Sequence, residues 1–427
     1  MSAGLLEANN AEGRRIGIPV SYSYVFEGER FSAKKPYVEF GASPKRALEL
    51  VLSCGREAVV DGRVDIFGKD ANELWFLSGP FPIAIIVEVY GAKMDKGFEP
   101  LLERQIHRFL NYCCGLVHMG QRDGISVKIA SESIERGFSL RHIGKILHYM
   151  FHKEYAEIIE RIQVKIYTGK DEVAYLSGKA GVFFAERDER AGKMTDEDTD
   201  TFYSCLICQS IAPGHVCIIT PERLGLCGSY SWLDAQNSYR IIPSGPNQPV
   251  FKGMPLDKRL GQWESVNSFV SEKSSRSVNR MSMYSLIKDP QTSCGLPECV
   301  VAVIPEVNGF MVVGRDYKGI TPCGMNFSEL SDLVCRGRQT PGFLGLSRHC
   351  ILSKKFISAE GGLRRLVWIS SGLKEKIGVR LSALTAQSGE SGFLNKVADE
   401  NTALDIRGLE VFLRKSGHPA VTMPALI

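Results

Sequence analysis

"FYSCLICQSIAPGHVCIITPERLGLCGSYSW", residues 202–232, gathers four of the chain's twelve cysteines. Cys205, Cys208, Cys217 and Cys227 are separated by two, eight and nine residues. The first two, three positions apart, face the same way on a helix or a tight turn. The other two follow loop residues Pro213-Gly214 and Pro221. Three readings are open on spacing alone. A 4Fe-4S cube takes one thiolate at each of four separate iron corners and tolerates wide spacing. Structural zinc modules more often present two close pairs, and only one is present here. Buried cysteines without any ligand are the third reading.

The surrounding chain limits these readings. A length of 427 residues allows two or three domains, each with its own core. With 44% apolar and 23% charged residues the composition is that of an ordinary globular protein. The formal charge is +4 and no Lys/Arg block stands out, so no nucleic-acid surface is expected. The start, "MSAGLLEANNAEGRR", has neither a basic n-region nor an apolar core, so no signal peptide is read. The apolar run "FPIAIIVEVYG" at 81–91 is far short of the roughly 20 residues of a membrane span. A cytoplasmic location is therefore expected, where thiols stay reduced and clustered cysteines are more often metal ligands than disulfides.

Outward from the cysteines, "PIAIIVEVY" (82–90) has the β-branched content of a buried strand. In "GFEPLLERQIHRFLNYCCGLVHM" the residues Phe98, Leu101, Leu102, Ile106, Phe109 and Leu110 recur at helical spacing, and Pro100 suits a first turn. This helix is taken to carry Cys113-Cys114, a packing pair. A second helix is predicted over 139–155, and "RIQVKIYTG" (161–169) alternates as a strand. The order points to an α/β (α+β) class: two domains of mixed sheets with flanking helices, the cysteine-bearing domain C-terminal.

"AERDERAGKMTDEDTD" (185–200) is charged and nearly free of large apolar side chains, so the boundary is placed there. The expected parts are an N-terminal segment 1–16, a domain over 17–190 and a metal-binding domain over 199–427. "SEKSSRSVNR" (271–280) reads as a surface loop. Asn308-Gly309, between two apolar runs in 299–317, is a hairpin signal. Helices are predicted over 372–384 and 404–416, the last stopped by Gly417-His418-Pro419.

"YSCLICQSIAPGHVCIITPERLGLCGSYSWLDA" closely resembles the cluster-binding segment of acetyl-CoA synthase, the β subunit of the carbon monoxide dehydrogenase/acetyl-CoA synthase complex. "YVEFGASPKRALELV", "GFEPLLERQIHRFLNY", "GQRDGISVKIA", "RIQVKIYTG", "VIPEVNGFMVV", "GRQTPGF", "AEGGLRRLVW" and "SGHPAV" also look like family segments in family order, from about residue 17 to 420. The resemblance implies a short form without the N-terminal domain by which bacterial members dock the dehydrogenase.

It further implies that Cys205, Cys208, Cys217 and Cys227 hold a 4Fe-4S cluster, with Cys208 bridging to a proximal nickel. In the family a Cys-Gly-Cys tripeptide completes that site and makes a square plane around a distal nickel. Here the tripeptide position reads Cys294-Gly295-Leu296, in "TSCGLPEC". One thiolate is missing, so one nickel at most is expected, held by Cys208 and Cys294. Cys299 is a further candidate ligand, or a buried thiol if a strand begins there. Ile211 replaces the phenylalanine that walls the family's small-ligand pocket.

The activity implied is assembly of acetyl-CoA by an acyltransferase from a methyl group, carbon monoxide and coenzyme A, with Cys208 and Cys294 as the catalytic metal ligands. The implied partners are a corrinoid iron–sulfur protein and carbon monoxide dehydrogenase, with no nucleic acid and no membrane. The alternative is a paralogue that keeps the cube, lacks the distal nickel, and serves methyl or electron transfer without carbon monoxide insertion. A zinc-stabilised binding module is a third reading, and it would be colourless.

Other residues carry weaker signals. His215 is read as a hydrogen-bond partner of the cluster region or as a structural histidine. Arg336, Arg338 and Gln339 are read as a phosphate grip for coenzyme A or as solvated surface. Cys323, Cys335 and Cys350 are read as core. Gln121-Arg122-Asp123 carries no assigned chemistry.

Overall fold

The computed structural model describes residues 11–23, 36–42, 46–119, 125–295, 297–335, 337–387 and 389–426, apart from the side chains of 188, 191 and 192. Leu296, Arg336 and Gln121-Arg122-Asp123 lie outside the described residues. The chain divides into two units, Met1–Glu189 and Arg190–Ile427. Both mix helices with mixed and antiparallel sheets, which is the α+β class expected from the sequence.

Among its described residues the N-terminal unit has seven strands: β1 (Tyr37–Gly41), β2 (Ala47–Ser53), β3 (Val64–Phe67), β4 (Ile83–Tyr90), β5 (Leu116–Met119), β6 (Ser126–Ala130) and β7 (Arg161–Tyr167). They form a mixed sheet β2-β4-β7-β3 and an antiparallel sheet β1-β6-β5. Three long helices accompany them: α1 (Glu99–Leu110), α2 (Leu140–Tyr155) and α3 (Lys170–Gly192). Leu48, Leu50 and Ala84 pack on Val173 and Ala180 of α3. Ile83, Ile85 and Val87 are equally buried from the other face. Cover on both faces is why β4 reads as an apolar run from Ile83 to Val87.

One ionic clamp ties three elements of this unit. Arg187 of α3 is bonded to Glu99 at 3.0 Å and to Glu103 at 2.8 Å, both on α1. The same carboxylates accept from the backbone N–H groups of Ser53 and Val51 on β2.

One sequence expectation is corrected here. Helix α1 stops at Leu110, so Cys113-Cys114 is not helical; Cys113 instead forms a β-bridge with Tyr22. The cause is Asn111, whose amide donates to the carbonyls of both His107 and His118 and turns the chain into β5. The charged stretch 185–200 begins inside α3, which continues to Gly192, and the two units divide after Glu189.

The C-terminal unit contains β8 (Thr201–Cys205), β9 (Cys217–Ile219), β10 (Pro249–Phe251), β11 (Pro255–Asp257), β12 (Gln262–Trp263), β13 (Cys299–Ile304), β14 (Gly309–Gly314), β15 (Phe343–Leu346) and β16 (Leu366–Ile369). Its helices of eight residues or more, among the described residues, are α4 (Trp232–Ile241), α5 (Glu264–Lys273), α6 (Phe327–Val334), α7 (Ser371–Gln387) and α8 (Ile406–Ser416). The largest sheet runs β15-β13-β14-β16. Cys299 and Val301 face the core that contains Leu373, Ile377 and Leu381 of α7. Val300, Ala302 and Ile304 face Leu330 and Val334 of α6 and Leu409 and Leu413 of α8.

The predicted hairpin is β13–β14, with Ile304 opposite Gly309. Its turn is longer than a two-residue Asn-Gly turn. Pro305–Val307 makes a single 3-10 turn and Asn308 alone takes the left-handed conformation, φ 55°. Asn308 Nδ2 then donates to the carbonyls of Ala420, Met423 and Pro424. Both predicted C-terminal helices form, and α8 ends on Gly417 at φ 63°. The predicted loop at 271–280 begins inside α5, which extends to Lys273.

Candidate metal centre

Strand β8 ends on Cys205, which stands opposite Cys217, the first residue of β9. Alternation along these strands puts Tyr203, Cys205, Cys217 and Ile219 in one core with Trp232, while Phe202 and Ile218 fill another. After β8 the chain enters a 3-10 turn, Ile207–Ser210, that carries Cys208. Cys227 precedes Gly228, whose φ of +71° and closeness to Ser347 leave no room for a side chain. Cys205 and Cys217 are buried, Cys208 is half-buried and Cys227 is exposed.

Backbone N–H groups act on these sulfurs. Leu226 donates to Cys217 and Ser229 to Cys227, each at 3.4 Å. The N–H groups of Ile207 and Gly295 oppose the effect of burial on the Cys205 and Cys208 thiols. Asn247 Nδ2 donates to the Ser204 carbonyl at 2.9 Å, and the same side chain favours the Cys205 thiolate. N–H groups aimed at sulfur favour the thiolate, the form that binds metal.

The donor set is nevertheless unfavourable by itself. Burial pushes the Cys205 thiol up to about 12 and raises Cys208 as well, with repulsion from Cys227 the next cause for both. Burial also raises Cys217, followed by repulsion from Cys205 and Cys227. Four mutually repelling thiolates need cationic charge among them, which a bound metal group would supply. Buried Arg223 contributes a positive charge near Cys217, and its Nη1 finds no hydrogen-bond partner among the described residues. Among the described residues no three cysteine sulfurs lie within 4.8 Å of one another.

The segment 291–295 meets this group from a different part of the chain. Thr292 Oγ1 bonds His215 Nδ1 at 2.8 Å, and Thr292 also bridges to Gln339. Ser293 Oγ accepts from the Gly345 N–H at 2.7 Å, and the Cys294 thiol donates to the Gly345 carbonyl at 3.7 Å. Cys294 is buried, and after burial its thiol is raised by Cys227 and Cys208. Gly295 lies under Ile211: a Cβ at this position would sit 2.9 Å from Ile211 Cγ2. Ile211 is 57% exposed, so an apolar side chain covers the point where the segments meet.

Other sequence candidates are placed elsewhere. Cys299 is fully buried on β13, and the charges that bear most on its thiol are Glu298, Arg348, Asp316 and Lys376, not the other cysteines. Cys350 belongs to the same core as Cys205. Cys323 and Cys335 contact the hydroxyls of Thr321 and Ser331. Gln339 is no phosphate grip, because its amide donates to the carbonyls of Arg280 and Pro290; Arg338 is exposed. His215 is held neutral by burial, at about 4, and joins the Cys217 and Cys294 segments. Sequence reading missed Asn247 and Arg223, which no spacing connects to the cysteines. No helix among the described residues is long and apolar enough to cross a membrane.

Comparison with known proteins identifies the family. Residues 18–173 match the family model described as CO dehydrogenase/acetyl-CoA synthase complex beta subunit, and residues 184–427 match the model for the C-terminal part of the ACS/CODH beta subunit. The carbon monoxide dehydrogenase/acetyl-CoA synthase subunit alpha of Moorella thermoacetica is 40% identical over 97% of this chain and 57% of its own length. The acetyl-CoA decarbonylase/synthase complex subunit beta 1 of Methanocaldococcus jannaschii is 40% identical over 95% of this chain and 52% of its own length. The corresponding subunit beta of Methanopyrus kandleri is 38% identical over 95% of this chain and 85% of its own length. The chain thus spans little more than half of the first two relatives and most of the third. On these matches, the chain belongs to the acetyl-CoA synthase/carbon monoxide dehydrogenase beta-subunit family.

Proposed function

We propose that this chain is an acetyl-CoA synthase-type acyltransferase in which Cys205, Cys208, Cys217 and Cys227 hold a 4Fe-4S cluster. Cys208 and Cys294 would present thiolates to one adjoining nickel. When bound, that centre would supply an electron-rich metal at which a corrinoid-borne methyl group, carbon monoxide and coenzyme A are assembled into acetyl-CoA. A corrinoid iron–sulfur protein is the methyl donor on this reading, and carbon monoxide dehydrogenase is the associated enzyme.

The observation that carries the reading is that backbone N–H groups act on all four cysteine sulfurs, as hydrogen bonds to Cys217 and Cys227 and by favouring the thiolates of Cys205 and Cys208, the last through Gly295 beside Cys294. The protein's own contributions follow from its geometry. The β8–β9 pair fixes two donors, and Gly345 with His215 fixes the segment that carries Cys294. Ile211 keeps water from the junction.

A second reading is favoured by one residue. Leu296 offers no lone pair where the family has its second tripeptide cysteine. A paralogue with the cluster but no distal nickel would move methyl groups or electrons without forming acetyl-CoA. Anaerobic metal analysis together with an acetyl-CoA assay separates the two. Four irons with nickel and turnover support the synthase, whereas four irons with one nickel or none, and no acetyl product, support the paralogue.

A further inference from the structure

Helix α2 carries two histidines one turn apart, His148 and His152, in "LHYMFH". Residues four apart share a face of a helix, and both rings are half-buried there. Their Nε2 atoms converge on one oxygen of Asp61. His148 lies 3.1 Å and His152 2.9 Å from Asp61 Oδ1. The three donor atoms all lie within 4.8 Å of one another.

The carboxylate is held in advance. Asp61 stands in the turn Val60–Arg63, closed by Arg63 N–H to the Val60 carbonyl at 3.1 Å. Gly62 takes φ +75° in this turn, and a Cβ at this position would lie 3.7 Å from His148 Nε2. The Gly62 N–H donates to the Ile162 carbonyl, and the Ile162 N–H donates to Asp61 Oδ1 at 3.0 Å. The turn is therefore pinned to β7 from both directions. Without an ion, Asp61 Oδ1 must accept from two imidazoles and a peptide N–H at once.

We propose that His148, His152 and Asp61 form a binding site for one borderline divalent transition ion: zinc, cobalt or nickel. Two neutral imidazoles and one carboxylate are the donors such ions prefer. Tetrahedral coordination separates its nitrogen and oxygen donors by roughly 3.3 Å, close to the spacing already present. Paired histidines at this helical spacing are a recurrent zinc-binding arrangement. Three protein donors leave a fourth position for water on the solvent side. The bound ion fastens α2 to the turn before β3, itself pinned to the start of β7, and the site is separate from the cysteine centre in composition and in unit.

The test is a titration of full-length, chelator-washed protein with cobalt(II), read by visible absorption. The wild type is expected to gain one ion per chain with d–d bands that carry no thiolate charge-transfer intensity. His148→Gln and His152→Gln each lose that ion, Asp61→Asn weakens it, and Cys205→Ser leaves it unchanged. Unchanged metal-free melting curves establish that the variants are folded. The proposal is overturned if the thiolate-free bands persist in both histidine variants, or if the wild type shows cobalt bound through thiolate alone.

Discussion

The backbone N–H of Gly295 favours the thiolate of Cys208, although the two residues belong to segments far apart in sequence. This contact places Cys294 beside the first cysteine pair. Its removal should therefore be felt by a metal shared between them and not by iron held elsewhere.

Cys294→Ala is expected to lower nickel per chain while leaving iron unchanged. Cys299→Ala should alter neither, since that thiol faces Glu298, Arg348, Asp316 and Lys376. Anaerobic elemental analysis of both variants checks the pair; equal nickel loss in the two would contradict the assignment.

Gly295→Ala should have the same selectivity for a steric reason. The new methyl would meet Ile211 Cγ2 at 2.9 Å and push the segment off Cys208. Ile211→Ala in the same chain should recover part of the nickel, because the obstructing atoms are then fewer. Non-additive nickel contents across the two single variants and the double variant are the signature of contact.

His418 makes the folded chain acid-sensitive. Its Nε2–H donates to the Leu366 carbonyl and its Nδ1 accepts from the Ala420 N–H, so the neutral ring is required. Burial depresses it to about 4, from an ordinary value of 6.5. A depressed folded value means the unfolded chain takes up the proton first as pH falls. The stabilisation is whole above about pH 6.5 and is lost as pH drops through about 4, at up to ~1.4 kcal/mol per pH unit. His418→Gln should be less stable than the wild type near neutral pH and should lose less on acidification. Denaturant unfolding at two pH values measures this.

Arg187→Met should be the costlier change in the N-terminal unit. The guanidinium is bonded to Glu99 and Glu103, and burial already pushes Glu103 up to about 7. Removing the cation leaves two buried carboxylates facing each other, a loss of about 3–5 kcal/mol. Circular dichroism during urea unfolding should show an earlier first transition. An unchanged midpoint would show that the clamp contributes nothing.

Legibility in the sequence followed the range of the interaction. Strand β4, helices α1, α2, α7 and α8 and the β13–β14 hairpin were readable because periodicity, Pro100, Gly417 and Asn308 are local signals. The end of α1 was not readable. Tyr112, Cys113 and Leu116 continue an apolar pattern, and the residue that stops the helix, Asn111, does so through contacts with His118. The four-residue β5 is too short to carry a period.

The candidate site divides in the same way. The spacing of Cys205, Cys208, Cys217 and Cys227 is written in the chain, but the approach of Gly295, Asn247 and Arg223 is a product of folding. His148 and His152 stood on a predicted helix one turn apart; Asp61, 87 residues earlier, had no local link to them.

The four-cysteine pocket is lopsided: two thiols are rooted at strand ends in the core, one is half covered and Cys227 is open to solvent. Oxidants and alkylating reagents therefore reach one corner first, while the sheltered corners keep their geometry. Damage would begin at a rim and spread inward, and repair could enter by the same door without the sheet having to come apart.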